Sequence, residues 1–357
     1  MQVRRLGCQV WLLRSFAAML LVATHAASAA EKFVPSLTAR TDFELRVLGD
    51  EGDDVPRSHQ TSIDGPFAGA VTSGGAPLQL DAGSAGASAY AGYGVLGASA
   101  IVSVRSAPVS KDRPAETLGH ARAGASFVDE LTITRPGPIS GGRGSLRVPW
   151  QFSGVWGGGL TGPLPRQLEQ AFADWNLHIT TGTAWDNAGE QFEVFSEVIA
   201  SGEFYQDREF TEISSISSHR VAPGNGGFVV DSQSQTGVAP PIWTELSFVF
   251  GIPFRLGVSL GIDAQAYATN LDIDLDDPAY LQLRTAEAYG QFGHTLRWGG
   301  VQQVLDASGQ AVSGWTVRSE SGMDYAVANT AAVPEPSIWL LMLPGLAMVA
   351  LRRVSVT

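Results

Sequence analysis

Cysteine is nearly missing from this 357-residue chain, with Cys8 the only one. It stands ahead of a short apolar stretch, where a lipidation site would not fall. The rest of the chain therefore has no thiol for a disulfide or a thiolate metal centre, and an apolar core must hold the fold. Lysine is scarce as well: Lys32 and Lys111 are the only two, and the other basic residues are arginines. The formal net charge of −12 argues against nucleic acid or anionic lipid as a partner, since both need basic patches that release counterions. An acidic surface suits solubility, and secondarily divalent cations. The histidines beyond the N-terminal region are His59, His120, His178, His219 and His294, with no H-x-H or H-E-x-x-H pattern. A zinc site would need distant convergence. Long apolar runs are absent until the last stretch of the chain.

The two ends are specialised. At the N-terminus, Arg4, Arg5 and Arg14 precede the apolar segment Phe16 to Ala23, and Ala27, Ala29 and Ala30 offer a small-residue cleavage site. That is the build of a secretory signal peptide over residues 1–30. At the C-terminus, Val333, Pro334, Glu335, Pro336 and Ser337 lead into the apolar run Ile338 to Leu351, which ends at Arg352 and Arg353. The prolines favour an extended spacer before a hydrophobic helix. The run falls short of the roughly 20 residues of a full span, and the arginines oppose translocation. Residues 333–357 closely resemble the PEP-CTERM sorting signal of Gram-negative bacteria, departing from it in having only two arginines with Val354 to Thr357 after them. The resemblance implies export through the inner membrane and transient anchoring there by the tail. Processing by an exosortase and delivery to the cell surface or beyond would follow, often alongside exopolysaccharide and biofilm production.

The segment between the ends is more acidic than the whole. Five of the 23 basic and one of the 35 acidic residues lie in the end segments, leaving 18 against 34 and a net charge of −16. Residues 31–82 read as one strand, where Phe43, Leu45 and Val47 alternate with polar residues, followed by an irregular loop over Glu51 to Gly75. Residues 83–332 read as an all-β domain of β-sandwich or jelly-roll type, with two sheets of related halves as a further reading. Its Ala- and Gly-rich stretch from Gly83 suits strands packed closely against a second sheet. Residues 165–176 fit both a helical stripe and a period of two; a strand over about 170–181 is favoured. Further strands are expected near 190–200, 208–214 and 226–232. A buried strand pair is expected across WTELSFVFGIPFRLGVSLGI, and DASGQ reads as a hairpin turn. ASAYAGYG and FVDELTIT are echoed by AQAYATNL and FGHTLRW. Residues 264–327, closing in Ser321 to Tyr325, also resemble the body of many PEP-CTERM proteins.

Two catalytic or cofactor spellings fail in context. Gly257-Val258-Ser259-Leu260-Gly261 matches a nucleophile elbow but leads into an alternating strand rather than a helix. Gly92 to Gly97 spells G-x-G-x-x-G inside a small-residue run, again before a strand. Asp272, Asp274, Asp276 and Asp277 mark a weak calcium site as the functional alternative to a half-buried strand showing acid to solvent. Core packing is the commoner role for a tryptophan here; Trp156 and Trp298, beside glycine-rich turns, are the two best placed to be loop-presented and to stack on sugars instead. Three readings follow in descending order. The first is an exported non-catalytic surface or matrix protein with no resident cofactor. The second is a calcium-assisted module binding exopolysaccharide, and the third is a secreted glycoside hydrolase with paired acids in a cleft.

Overall fold

Strict alternation of buried and outward side chains sets the architecture. In β1 (Ser36–Leu48), Leu37, Ala39, Thr41, Phe43 and Leu45 are buried and their neighbours are not, as in a strand with one wet face. The computed structural model describes residues 33–48, 57–67, 69–80, 82–105, 116–137, 142–152, 154–161, 170–182, 194–206, 211–221, 228–233, 242–269 and 285–329. Among these the fold is all-β, with no helix. The signal peptide and the sorting segment lie outside the described residues.

After β1 come β2 (Arg57–Gly65), β3 (Ala70–Gly74), β4 (Leu78–Leu80), β5 (Gly83–Gly92), β6 (Val95–Arg105) and β7 (Glu116–Thr134). The middle of the chain supplies β8 (Arg143–Gln151), β9 (Val155–Thr161), β10 (Gln170–Gly182), β11 (Val194–Gln206), β12 (Thr211–Val221) and β13 (Phe228–Gln233). The last are β14 (Ile242–Val249), β15 (Phe254–Thr269), β16 (Thr285–Trp298), β17 (Gln303–Asp306) and β18 (Thr316–Ser319). The first sheet runs β13-β12-β11-β10-β15-β7-β1-β2, with β18 also on β7. The second runs β14-β8-β16-β6-β5-β3, with β17 on β8, β4 on β5 and β9 on β16. Every recorded pairing is antiparallel.

The apolar faces of both sheets share one core. Small residues let the sheets approach. A Cβ added at Gly119 in β7 would lie 2.3 Å from Val102 Cγ1 in β6, and one at Gly290 in β16 would lie 2.5 Å from Ile262 Cγ2 in β15. Neither distance is sterically allowed, so bare backbone is required at both points. Larger rings fill the wider zones: Phe152, Trp156, Trp175 and Phe292 form one cluster, and Trp150 meets Trp298 edge-on at 5.2 Å. This core stands in for the disulfides the chain lacks.

Several expectations hold. From Gln170 on, the helix-or-strand region is the favoured strand, β10, while residues 165–169 lie outside the described residues; β15 carries Ser259 without a break. Asp306 to Gly309 closes a hairpin, with Asp306 Oδ1 accepting from Ser308 N at 2.9 Å and Gln310 N at 3.0 Å. Others need correction. Arg57–Gly65 is not loop but β2, paired with β1 from Arg57↔Leu45 to Gly65↔Leu37. The division at residue 82 does not appear: β1 is hydrogen-bonded along β7, and from Pro35 on the described residues form one unit. β14 and β15 are not paired with each other, because the chain passes from the second sheet to the first at Phe250 to Pro253. The echoed strands need no correction: each member of an echoed pair sits in the opposite sheet, β5 and β16 in the second and β15 and β7 in the first.

Candidate functional site

The residues singled out from sequence fall into two groups. Ala27, Ala29, Ala30, Asp272, Asp274, Asp276, Asp277, Val333, Pro334, Glu335, Pro336, Ser337, Arg352 and Arg353 lie outside the described residues. Trp156 and Trp298 are described, and neither is presented to solvent. Their exposures are 2% and 0%, so both follow the core-packing reading and the surface alternative does not apply to them. The glycine-rich VWGGG is strand β9, whose alternation turns Val155 out and Trp156 in. Trp298 ends β16, donates from Nε1 to Tyr325 O at 2.8 Å, and meets the Tyr325 ring edge-on at 5.0 Å.

That contact belongs to a latch that closes the chain over the core. Asp129, on β7, has no exposed surface. Its Oδ1 accepts from Glu130 N at 2.8 Å and Ser321 N at 3.1 Å, and Oδ2 accepts from Ser321 Oγ. The Tyr325 hydroxyl is buried beside the same carboxylate. Burial pushes the Asp129 carboxyl above its ordinary value, and these donors pull it part of the way back. Burial, with Asp129 beside it, holds Tyr325 well above the ordinary phenol value. Beyond Tyr325, Asn329 N donates to Trp298 O at 2.8 Å and Asn329 Nδ2 to Tyr93 O at 3.1 Å. The Ser-Gly-x-Asp-Tyr ending noted in the sequence is thus a structural clasp.

The chemically open arrangement lies on the outer face of the first sheet. Register brings one charged residue from each of five strands into a row. Asp42 on β1 opposes Arg122 on β7; Arg122 opposes Asp263 on β15; Asp263 opposes Asp174 on β10; Asp174 opposes Glu203 on β11. Asp263 is the held member. His120 Nε2 lies 3.1 Å from its Oδ1, Gln265 Nε2 donates to the same atom at 3.2 Å, and Arg122 Nε donates to Oδ2. Burial raises the Asp263 carboxyl, but the His120 and Arg122 hydrogen bonds outweigh it and leave it below the ordinary value. Asp174 behaves oppositely: burial first, then the Asp263 and Glu203 charges, push it up to about 6. Like charges directly opposite across strands are unfavourable.

The row is flanked on both sides. Towards Asn176 lies a depression of about 380 Å³ whose lining includes Arg40, Arg122, Gly124, Asp174, Gly261 and Asp263. Gly124 is part of that lining, and a Cβ there would meet nothing nearer than Leu260 O at 4.0 Å. On the other side, Phe172 on β10 directly opposes Tyr205 on β11, and Tyr267 on β15 opposes Gln170 one row further on. All three rings are half-buried and outward-facing. The face therefore combines π surface, carboxylates of unequal acidity and a hollow. Ser259, the central serine of the rejected elbow, also faces outward and opposes His178 on β10.

Sequence reading did not find this face. Each strand contributes a single acid or ring among ordinary alternating residues, and only the register joins them. No protein-family model matches the chain, and comparison with curated proteins and with solved structures gives no match.

Proposed function

We propose that the chain is an exported, non-catalytic β-sandwich protein of the cell surface or biofilm matrix. It is held briefly in the inner membrane by its tail and processed there by an exosortase. The observation that carries this is the order of parts in residues 333–357: Val-Pro-Glu-Pro-Ser, an interrupted apolar run, then Arg352 and Arg353. The signal-peptide pattern at the other end supports it. So does a body whose two antiparallel sheets share a core built without cysteine. Such a body suits an oxidising compartment. Intact-mass measurement of the product from its native host, with and without the exosortase, tests the reading. The expected mature product lacks residues from both ends, and the tail persists when the exosortase is deleted. A full-length tail in the product of the normal host overturns it.

A second reading, glycan binding, is favoured by the outer face of the first sheet. There rings and hydrogen-bonding acids lie side by side on an open surface. The tryptophans do not contribute to it.

A further inference from the structure

We propose that the outer face of the first sheet binds a glycan bearing free amino groups, with a sugar ring on the Phe172–Tyr205 pair and an ammonium group between Asp174 and Glu203. The choice of a glycan over a basic peptide rests on the proposed delivery to the cell surface or matrix. The choice of an amino-bearing glycan rests on the face itself.

Acidity alone would not carry the assignment; the adjacent rings do. A pyranose has an apolar C–H face that stacks on an aromatic ring and an equator of polar groups. Phe172 and Tyr205 supply a ring pair fixed by strand register, and Asp174 and Glu203 are the next outward pair on the same two strands. Two residues along a strand span about 6.6 Å, so a ring seated on the ledge puts its substituents over the acids. Charge chooses the substituent. In the row, Arg122 is engaged by Asp263, while Asp174 and Glu203 confront each other. A cation between them removes a repulsion that the free protein bears, and it also profits from the neighbouring π faces. A uronate polymer would add to the repulsion. From Phe172 to Asn176 is roughly 13 Å along β10. Adjoining sugar units can therefore reach the hollow over Gly124, so a short oligomer fits better than a monosaccharide.

The test is equilibrium binding of the full chain to a glucosamine hexamer at about pH 6.5, above the Asp174 value of about 6. The N-acetylglucosamine hexamer, hexalysine and polygalacturonate are run beside it. The glucosamine hexamer is expected to bind, with its N-acetylated counterpart about tenfold weaker or worse and polygalacturonate not at all. Tyr205→Ala and the Asp174→Asn/Glu203→Gln pair should each weaken binding about tenfold. Thermal melting identifies any variant that fails to fold, and Phe172→Ala then replaces Tyr205→Ala. Three results overturn the proposal: no binding at millimolar hexamer, equal binding of the acetylated hexamer, or hexalysine binding as tightly and surviving loss of the ring. Tail processing is read separately by mass, so failure of the sorting reading leaves a distinct trace.

Discussion

The two faces of β7 place the same residue types under opposite rules. Inward, Gly119 lies where any side chain would strike Val102, and Asp129 is sealed beneath Ser321 and Tyr325. Outward, Gly124 opens onto a hollow, and Arg122 meets an acid that keeps partial contact with water. Each face has its glycine and its carboxylate. On the inner face both are consumed by packing; on the outer face both leave room for something else. A small or charged residue thus acquires meaning from the face it occupies, which is a property of register rather than of residue type.

The largest test of this contrast is Asp129→Ala. It strips an acceptor from Glu130 N, Ser321 N and Ser321 Oγ. Part-buried donors left unpaired around a buried site make the expected loss about 3 kcal/mol, or roughly 8 °C in Tm. Asp129→Asn keeps an acceptor and should lose about a third as much. Urea denaturation measures both, and proteolysis should find new cuts around Thr316 to Asn329 in the alanine variant. If Asp129→Ala melts within 1–2 °C of the parent, roughly the effect of a surface change, the clasp does not hold the segment from Thr316 to Asn329. Next in size is Gly119→Ala, whose Cβ would lie 2.3 Å from Val102 Cγ1 and 2.9 Å from Val104 Cγ1. Overpacking of that kind should cost about 2 kcal/mol in the same assay.

The inner face was largely legible from sequence, because burying one side of a strand writes a period of two into it. Phe43 and Leu45 in β1, and Ala171 to Ile179 in β10, show that period, and both strands appear where it does. β2 shows the converse. It pairs fully with β1 at the sheet edge, yet none of its side chains is buried. Without a buried face there is no apolar alternation, and the segment resembles loop. β9 failed for another reason: Gly157, Gly158 and Gly159 read as a turn, although Gly158 is needed where the Glu287 backbone and Phe204 come close. The outer row was invisible because Asp42 and Glu203 belong together only once five strands are in register.

On that outer face, Asp174→Asn should stabilise. Free Asp174 ionises near 3.8 and folded Asp174 near 6, so between those values the folded state holds the extra proton. Stability therefore falls as pH rises through the window, and the deficit persists above it. The asparagine removes the deficit: the gain is full above about pH 6 and absent below about pH 4. Allowing for solvent screening at this partly exposed site, it should be about 1 kcal/mol at neutral pH and smaller in high salt. Melting curves of both proteins across that range are the measurement. A gain independent of pH would mean that packing, not charge, separates them.

The smallest effect makes the sharpest comparison, because it should reverse in sign. Gly124→Ala adds a methyl group five positions along β7 from Gly119, on the other face. The new Cβ meets only Leu260 O at 4.0 Å, and no left-handed backbone angle is recorded at Gly124. With no clash and no strain, the loss of unfolded-chain freedom should dominate, giving a gain of about 0.5 kcal/mol. Glycine is thus not kept at 124 by the demands of folding, whereas at 119 it is. If the hollow receives a ligand, this slightly more stable variant should bind the glucosamine hexamer less well than the parent, because the methyl group takes up space in the lining. Stability rising while binding falls separates a site from a structural glycine; a loss of stability at 124 comparable to that at 119 would remove the distinction between the two faces of the strand.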